Sequence, residues 1–226
     1  MKRKTLSITL KQSTRLSAVC FIAFTALLVI NRGLLEAAVL ILSYIVHEAF
    51  HLIAAFMLGI NIKGASSALY GVSMVYNRAD LKAGTSALLF LAGPFGNIAF
   101  AVGIYLASTV QYVPNAEFFV FYNISLAMLN MIPAYPLDAA RAIEAVLRIW
   151  LSSLKAIKIV CTISYMSCTV LFCYGSYMFL YRTDNFLLLM LAAFLYMSSV
   201  AEYSAAEMDT LAKIAQEASG ICSLQR

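Results

Sequence analysis

The turn His47-Glu48-Ala49-Phe50-His51 lies inside an otherwise apolar run from Leu34 to Leu58 and contains both histidines of the chain. Its flanks, Ala37-Ala38-Val39-Leu40-Ile41-Leu42 and Ile53-Ala54-Ala55-Phe56-Met57, read as lipid-facing helix rather than as the apolar stripe of a soluble amphipathic helix. A carboxylate at membrane depth costs roughly 2.5–3.5 kcal/mol even on the lenient insertion scale, so it persists only with a partner or a task. Whatever fold this chain takes must therefore cover that turn. On a helix, His47 and His51 stand one turn apart on one face, where two imidazole nitrogens can converge on a metal ion. Glu48 is offset by about 100°. That keeps it out of the ligand set but within reach of a metal-bound water, where a general base belongs.

The rest of the composition agrees with a membrane setting. Of 226 residues, 62% are hydrophobic and 12% charged, which excludes an ordinary soluble domain. The net charge of +5 invites a nucleic-acid reading, but the basic residues fall in short loops between apolar spans, so no nucleic-acid partner is expected. Cys20, Cys161, Cys168, Cys173 and Cys222 are odd in number and lack C-x-x-C spacing, which argues against a disulfide framework. Lys2, Arg3, Lys4, Lys11 and Arg15 precede the apolar stretch 16–30 in the manner of a signal peptide. Without a small-residue cleavage pattern after it, the stretch reads as a retained first helix.

The pattern predicts an all-α polytopic membrane protein with about six transmembrane helices, over 16–30, 34–58, 84–110, 117–132, 157–180 and 185–201. With both termini in the cytoplasm, 14 of the 16 Lys and Arg residues fall on the cytoplasmic side and only Arg32 and Arg182 opposite, which favours this orientation in the cell membrane. After the second span, residues 60–76 alternate Tyr70, Val72, Met74 and Tyr76 with smaller residues, following a Gly64-Ala65-Ser66-Ser67 turn. That reads as a short membrane-associated β-hairpin, with a plain cytoplasmic loop as the alternative. Residues 1–200 are expected to form the six-span domain, with a core over about 34–150. Residues 201–226 are expected to form a short cytoplasmic tail.

Two further segments break the apolar pattern. Leu91-Ala92-Gly93-Pro94-Phe95-Gly96-Asn97 places a proline and two glycines in the third span, which permits a kink and close helix approach. Asn97 there is readable as a bond to a neighbouring helix or as a catalytic group. Asn130-Met131-Ile132-Pro133-Ala134-Tyr135-Pro136-Leu137-Asp138 cannot continue a helix through its two prolines, and broken backbone at membrane depth is tolerated only beside protein or a cavity. Asp138 then opens an amphipathic helix carrying Ile143, Val146, Leu147 and Trp150 on one side. It can be an N-cap, a metal ligand, or both.

Together, His47-Glu48-x-x-His51, Ala92-Gly93-Pro94-x-x-Asn97 and Asn130-x-x-Pro133-x-x-Pro136-Leu137-Asp138 resemble, in order and spacing, the site-2 protease family of intramembrane zinc metalloproteases. The six-span layout is most similar to the branch typified by stage IV sporulation protein FB. The resemblance implies that His47, His51 and Asp138 bind Zn2+ and that Glu48 activates the water in the remaining position. It assigns Asn130, with Asn97, to the substrate backbone or the oxyanion. It also implies a membrane-tethered protein or signal-peptide-like helix as substrate, cut near the cytoplasmic face in regulated intramembrane proteolysis. Two departures stand out: Ala139 and Ala140 replace the usual glycine pair, which could narrow the site, and the nucleotide-sensing domain of that branch is not in this sequence. Regulation by a membrane partner protein is expected instead.

Two other function classes fit parts of the pattern. A catalytically silent homologue would hold a membrane protein without cutting it, which the intact Glu48 argues against. A transporter would use the same broken helices for transport sites. The substrate's identity and the oligomeric state are not encoded in these motifs.

Overall fold

The computed structural model describes residues 33–60, 65–68, 71–74, 82–181 and 186–224. The first helix, α1 (Leu34–Met57), is 24 residues long, about 36 Å at 1.5 Å per residue and enough to cross a hydrocarbon core. Its buried positions include Val39, Ser43, His47, His51 and Ala55, a row at every fourth residue. Its opposite face carries Leu34, Leu42, Ile45 and Phe56, all exposed. His47 is 3% exposed whereas Phe56 is 87% exposed. The helix is thus polar toward protein and apolar outward, the reverse of a soluble helix and the arrangement lipid requires. It ends in a Schellman motif. Gly59 adopts φ +65°, its N–H donates to the Phe56 carbonyl, and the Ile60 N–H donates to Ala55.

The strands β1 (Ala65–Ala68) and β2 (Gly71–Met74) pair antiparallel, with Ala65 opposite Met74 and Ala68 opposite Gly71. The remainder of the segment 60–76, apart from Ile60, lies outside the described residues, as does the expected first span over 16–30.

Helix α2 (Ala83–Val110) buries Leu89, Gly93, Asn97 and Ala101, again one row at every fourth position. That row faces the polar row of α1. Small residues make the approach possible: a Cβ on Gly96 would lie 2.0 Å from Phe50 Cγ, and one on Gly93 would fall 2.4 Å from His51 Nε2. Pro94 sits within the helix and offers no N–H to the carbonyl of Phe90 one turn earlier. The Arg141 guanidinium lies 5.9 Å from the centroid of the Phe90 ring. Helix α3 (Ala116–Asn130) is 15 residues long and turns Tyr122, Asn123 and Ala127 inward. It packs on both α1 and α2. The Tyr122 hydroxyl donates to the Glu36 carboxylate, which partners the one acidic group at the start of α1.

The chain divides into two units. One runs to Ile132 and takes in Leu137–Ala142; the other comprises Pro133–Pro136 and Ile143–Arg226. Helix α4 (Asp138–Leu147) therefore begins in the first and ends in the second. Within the second unit, the Tyr135 hydroxyl donates to Glu144 Oε2 at 2.8 Å, and Arg148 forms an ion pair with the other oxygen of Glu144. Burial pushes the Tyr135 phenol well above its ordinary pKa, and the adjacent Glu144 carboxylate adds to the shift. Helix α5 (Ser153–Tyr181) buries Ile157, Val160, Cys161, Ser164 and Cys168. It packs on α6 (Leu187–Leu224).

Among the described residues, four helices are long and apolar enough to cross a membrane: Leu34–Met57, Ala83–Val110, Ser153–Tyr181 and Leu187–Ala212. Of the six expected spans, the one over 16–30 lies outside the described residues, and the one over 117–132 is not among these four helices. The segment expected as a fourth span forms α3, whose 15 residues extend only about 22 Å. The last helix runs on to Leu224, through the stretch expected as a short cytoplasmic tail with helical spacing of its apolar residues.

The close approach of α1 and α2 at Gly96 makes a direct test. Gly96→Ala should lower stability in detergent by about 1–3 kcal/mol through overpacking against Phe50. Phe50→Ala in the same chain should recover part of that loss. Thermal unfolding that leaves the single variant at wild-type stability would contradict the packing.

Candidate metal centre

Among the described residues, His47, His51 and Asp138 form the one group able to hold a metal ion, and all three are buried. The histidines arrive one turn apart on α1. Asp138 arrives from the first position of α4, after the double-proline break that ends the preceding helix. Its Oδ2 lies 2.9 Å from His47 Nε2 and 3.3 Å from His51 Nε2, and the two nitrogens are 3.2 Å apart. Ligands at 2.0–2.1 Å from a tetrahedral zinc stand about 3.3 Å from one another. The triangle already has nearly that size.

The protons decide what the triangle can be. His51 Nδ1 is 2.8 Å from the Leu89 carbonyl oxygen, which can only accept, so Nδ1 carries the proton and the neutral ring keeps a lone pair on Nε2. His47 Nδ1 is 3.2 Å from Asn97 Oδ1. The Asn97 Nδ2 donates to the Ser43 carbonyl at 3.2 Å and to Asn123 Oδ1 at 3.1 Å, so its oxygen is the atom left to face His47. His47 Nδ1 therefore donates, and its Nε2 also points a lone pair inward. With both rings neutral, two nitrogen lone pairs and a carboxylate oxygen face one another. Such a set repels itself in a low-dielectric interior unless a cation sits at its centre. The donor set of two imidazoles and one carboxylate suits zinc.

Glu48, the next residue after His47, is half-buried and stands off the ligand triangle. Tyr44 stands one turn before Glu48 on α1, with its hydroxyl buried. The Tyr44 ring lies nearly parallel to the His47 imidazole, at 14° with centroids 6.4 Å apart. Behind the histidines Gly93 forms the floor: a Cβ there would fall 2.4 Å from His51 Nε2 and 2.7 Å from His47 Nε2. Ala139 and Ala140 follow Asp138 and are both buried.

Of the residues named from the sequence, His47, His51 and Asp138 meet here, and Asn97, read there as a bond to a neighbouring helix or as a catalytic group, bonds His47 on α1. Asn130 stays on its own helix, where its Nδ2 donates to the Leu126 carbonyl at 3.0 Å. Ser43, Tyr44, Gly93 and Asn123 were not singled out as site residues. The four-residue spacing of Ser43 to His47 and of Gly93 to Asn97 is the signal that could have found two of them.

No family model matches the chain. The chain is 25% identical over 206 residues to a Methanocaldococcus jannaschii protein named as a zinc metalloprotease, an alignment that covers 85% of this chain. It spans only 57% of that protein's length. Among solved structures it superposes on the site-2 protease from Methanocaldococcus jannaschii with a TM-score of 0.65 at 20% identity, covering 83% of this chain and 88% of the other. The two chains share a fold.

Two substitutions should separate a metal centre from a merely buried polar cluster. Asp138→Ala removes an oxygen donor and should lower zinc content of the purified protein, whereas loss of an N-cap alone costs about 0.5–2 kcal/mol and would leave metal bound. Gly93→Ala should also lower zinc content, because its methyl group occupies the space of the two imidazoles. Full stoichiometric zinc in both variants would rule out this centre.

Proposed function

We propose that the chain is an intramembrane zinc metalloprotease of the site-2 protease family. The observation that carries this reading is the convergence of two imidazole lone pairs and the Asp138 carboxylate inside a membrane-length helix, with Glu48 beside them. The shared fold with a solved site-2 protease and the similarity to a protein named as a zinc metalloprotease support the same conclusion. Placement in the stage IV sporulation protein FB branch rests on the six-span layout read from the sequence. The six-span layout belongs to the same proposal, with residues 16–30 and the short α3 completing the four longer helices.

His47, His51 and Asp138 would hold the zinc, which when bound would supply a water acidic enough to ionise near neutral pH and a Lewis acid for the peptide carbonyl. The Glu48 carboxylate takes the proton of the attacking water and then returns it to the nitrogen of the leaving amine. Asn97 keeps the His47 ring in place. Asn130 is assigned to the substrate backbone or the oxyanion, as the motif resemblance implies.

The substrate we assign is a membrane-tethered protein or a signal-peptide-like helix, cut near the cytoplasmic face in regulated intramembrane proteolysis, with a membrane protein as regulator. The positive-inside count supports a cell-membrane protein with both termini in the cytoplasm. A transmembrane substrate hides its peptide bonds in its own hydrogen-bond ladder and must unwind locally before it can be cut. The paired strands that follow α1 offer main-chain partners to such an extended segment.

Glu48→Gln should keep zinc and lose proteolysis by about 10²- to 10⁴-fold, since the ligands stay while the base is gone. Metal analysis beside a cleavage assay decides it, and near-normal cleavage would remove Glu48 from the mechanism. Mass spectrometry of the product ends should place the cut toward the cytoplasmic side. A cut deep on the outer side would overturn the orientation.

A further inference from the structure

Behind the metal ligands lies a chain of polar groups that crosses three helices and uses every proton it has. Asn123 on α3 is fully buried. Its Nδ2 donates to Ser43 Oγ at 2.9 Å and to the Phe119 carbonyl at 2.8 Å, which leaves its Oδ1 to accept from Asn97 at 3.1 Å. Ser43 Oγ in turn donates to the Val39 carbonyl at 2.9 Å. The second Asn97 donor goes to the Ser43 carbonyl, and Asn97 Oδ1 faces His47 Nδ1.

The direction of this chain is fixed at its ends. Val39, Ser43 and Phe119 each contribute a backbone carbonyl, a group that can accept and never donate. Turning both amides over would set Asn97 Oδ1 against the Ser43 carbonyl and Asn123 Oδ1 against the Phe119 carbonyl. It would also present an Asn97 N–H to His47. The ring would then have to carry its proton on Nε2, the nitrogen that faces Asp138 and His51, and could not ligate.

We propose that Asn123 is a positioning residue for the metal centre: with Ser43 it holds the Asn97 amide in the one orientation that leaves the His47 Nε2 lone pair free for the ion. Asn123 touches neither His47 nor the ligand triangle and acts through Asn97. The inference rests on the metal-centre reading above and extends it two residues outward, to a helix that contributes no ligand. Outer partners that set ligand orientation typically change metal affinity 10- to 100-fold when lost.

The test is the zinc dissociation constant of the full-length protein in detergent, measured by chelator competition for four forms. Wild type should bind one zinc. Asn123→Leu, which removes the acceptor facing Asn97, should bind about 10- to 100-fold more weakly. Asn123→Asp keeps that acceptor while losing both donors, the one to Ser43 Oγ included, so it should lose stability and weaken zinc only about two- to tenfold, well short of Asn123→Leu. Tyr122→Phe removes the hydroxyl that bonds Glu36 across the same helix pair and should also leave zinc affinity close to wild type, which separates the amide chain from general loosening of α1 against α3. Wild-type affinity in Asn123→Leu would overturn the proposal, and so would equal weakening in the Leu and Asp variants. Should Asn123→Leu fail to fold, Ser43→Ala breaks the same link from the other side and should weaken zinc about two- to tenfold, one hydrogen bond's worth. Unchanged affinity there would overturn the proposal as well. A wild-type protein that holds no stoichiometric zinc would instead overturn the metal-centre reading itself, an outcome distinct from any difference among the variants.

Discussion

Three electron-rich atoms, two imidazole nitrogens and a carboxylate oxygen, are held within 3.3 Å of one another with their lone pairs pointed inward. The rest of the first unit depends on keeping them there. In water such a cluster would relax by taking up protons or by turning the rings. Here both Nδ1 atoms are committed outward, to Leu89 and Asn97, so the rings cannot turn without stranding a buried donor. The low-dielectric surroundings that make the arrangement costly without a cation also make it strong with one.

Lipid gives helices little reason to associate through apolar surface alone, so close backbone approach and hydrogen bonds between helices must do so. The two facing rows show how this chain meets that condition. On α1 the row is Val39, Ser43, His47, His51 and Ala55; on α2 it is Leu89, Gly93, Asn97 and Ala101. Gly93 and Asn97 stand against the imidazoles, and several bulky residues of α1, among them Ile45 and Phe56, are turned outward, while Phe50 packs on Gly96. Gly93 has a role no other residue could fill, since its missing side chain is the space that the two rings occupy. The packing that joins the helices and the geometry that readies the ligands are one set of contacts.

The parts of this design that are local in sequence were legible in it. His47, Glu48 and His51 share one helical turn, and their surroundings marked the helix as a membrane span, so ligands and base could be named from spacing and cost. Asp138 lies some ninety residues further on and was visible only because two prolines broke the helix just ahead of it and because the motif order matched a known pattern. Asn97 was noticed, but its role depends on which atoms of other helices surround it. A single asparagine in an apolar run looks the same whether it meets substrate or a histidine. Ser43 was marked only by its four-residue spacing to His47, and Asn123, one amide in an apolar helix, carried no signal of its own. The length of α3 was legible: the apolar stretch over 117–132 and the helix Ala116–Asn130 differ by one residue in length, and both are short for a hydrocarbon core.

The amide chain also explains how a polar site can be built in an apolar helix pair without weakening the helices. Each carbonyl that ends the chain belongs to helical backbone, where one lone pair of the oxygen serves the ladder and the second is free to accept again. The side-chain bonds from Ser43 to Val39 and from Asn123 to Phe119 run four residues back along their own helices and use that second lone pair. No ladder bond is given up. Such back-bonding bends a helix slightly and is mildly unfavourable alone. It becomes worthwhile because the same hydroxyl and amide then have one remaining direction each, and those directions meet. Polarity set by the backbone is thereby passed through Ser43, Asn123 and Asn97 to a single proton on His47, so the geometry of the metal centre is anchored in atoms that no side-chain substitution can remove.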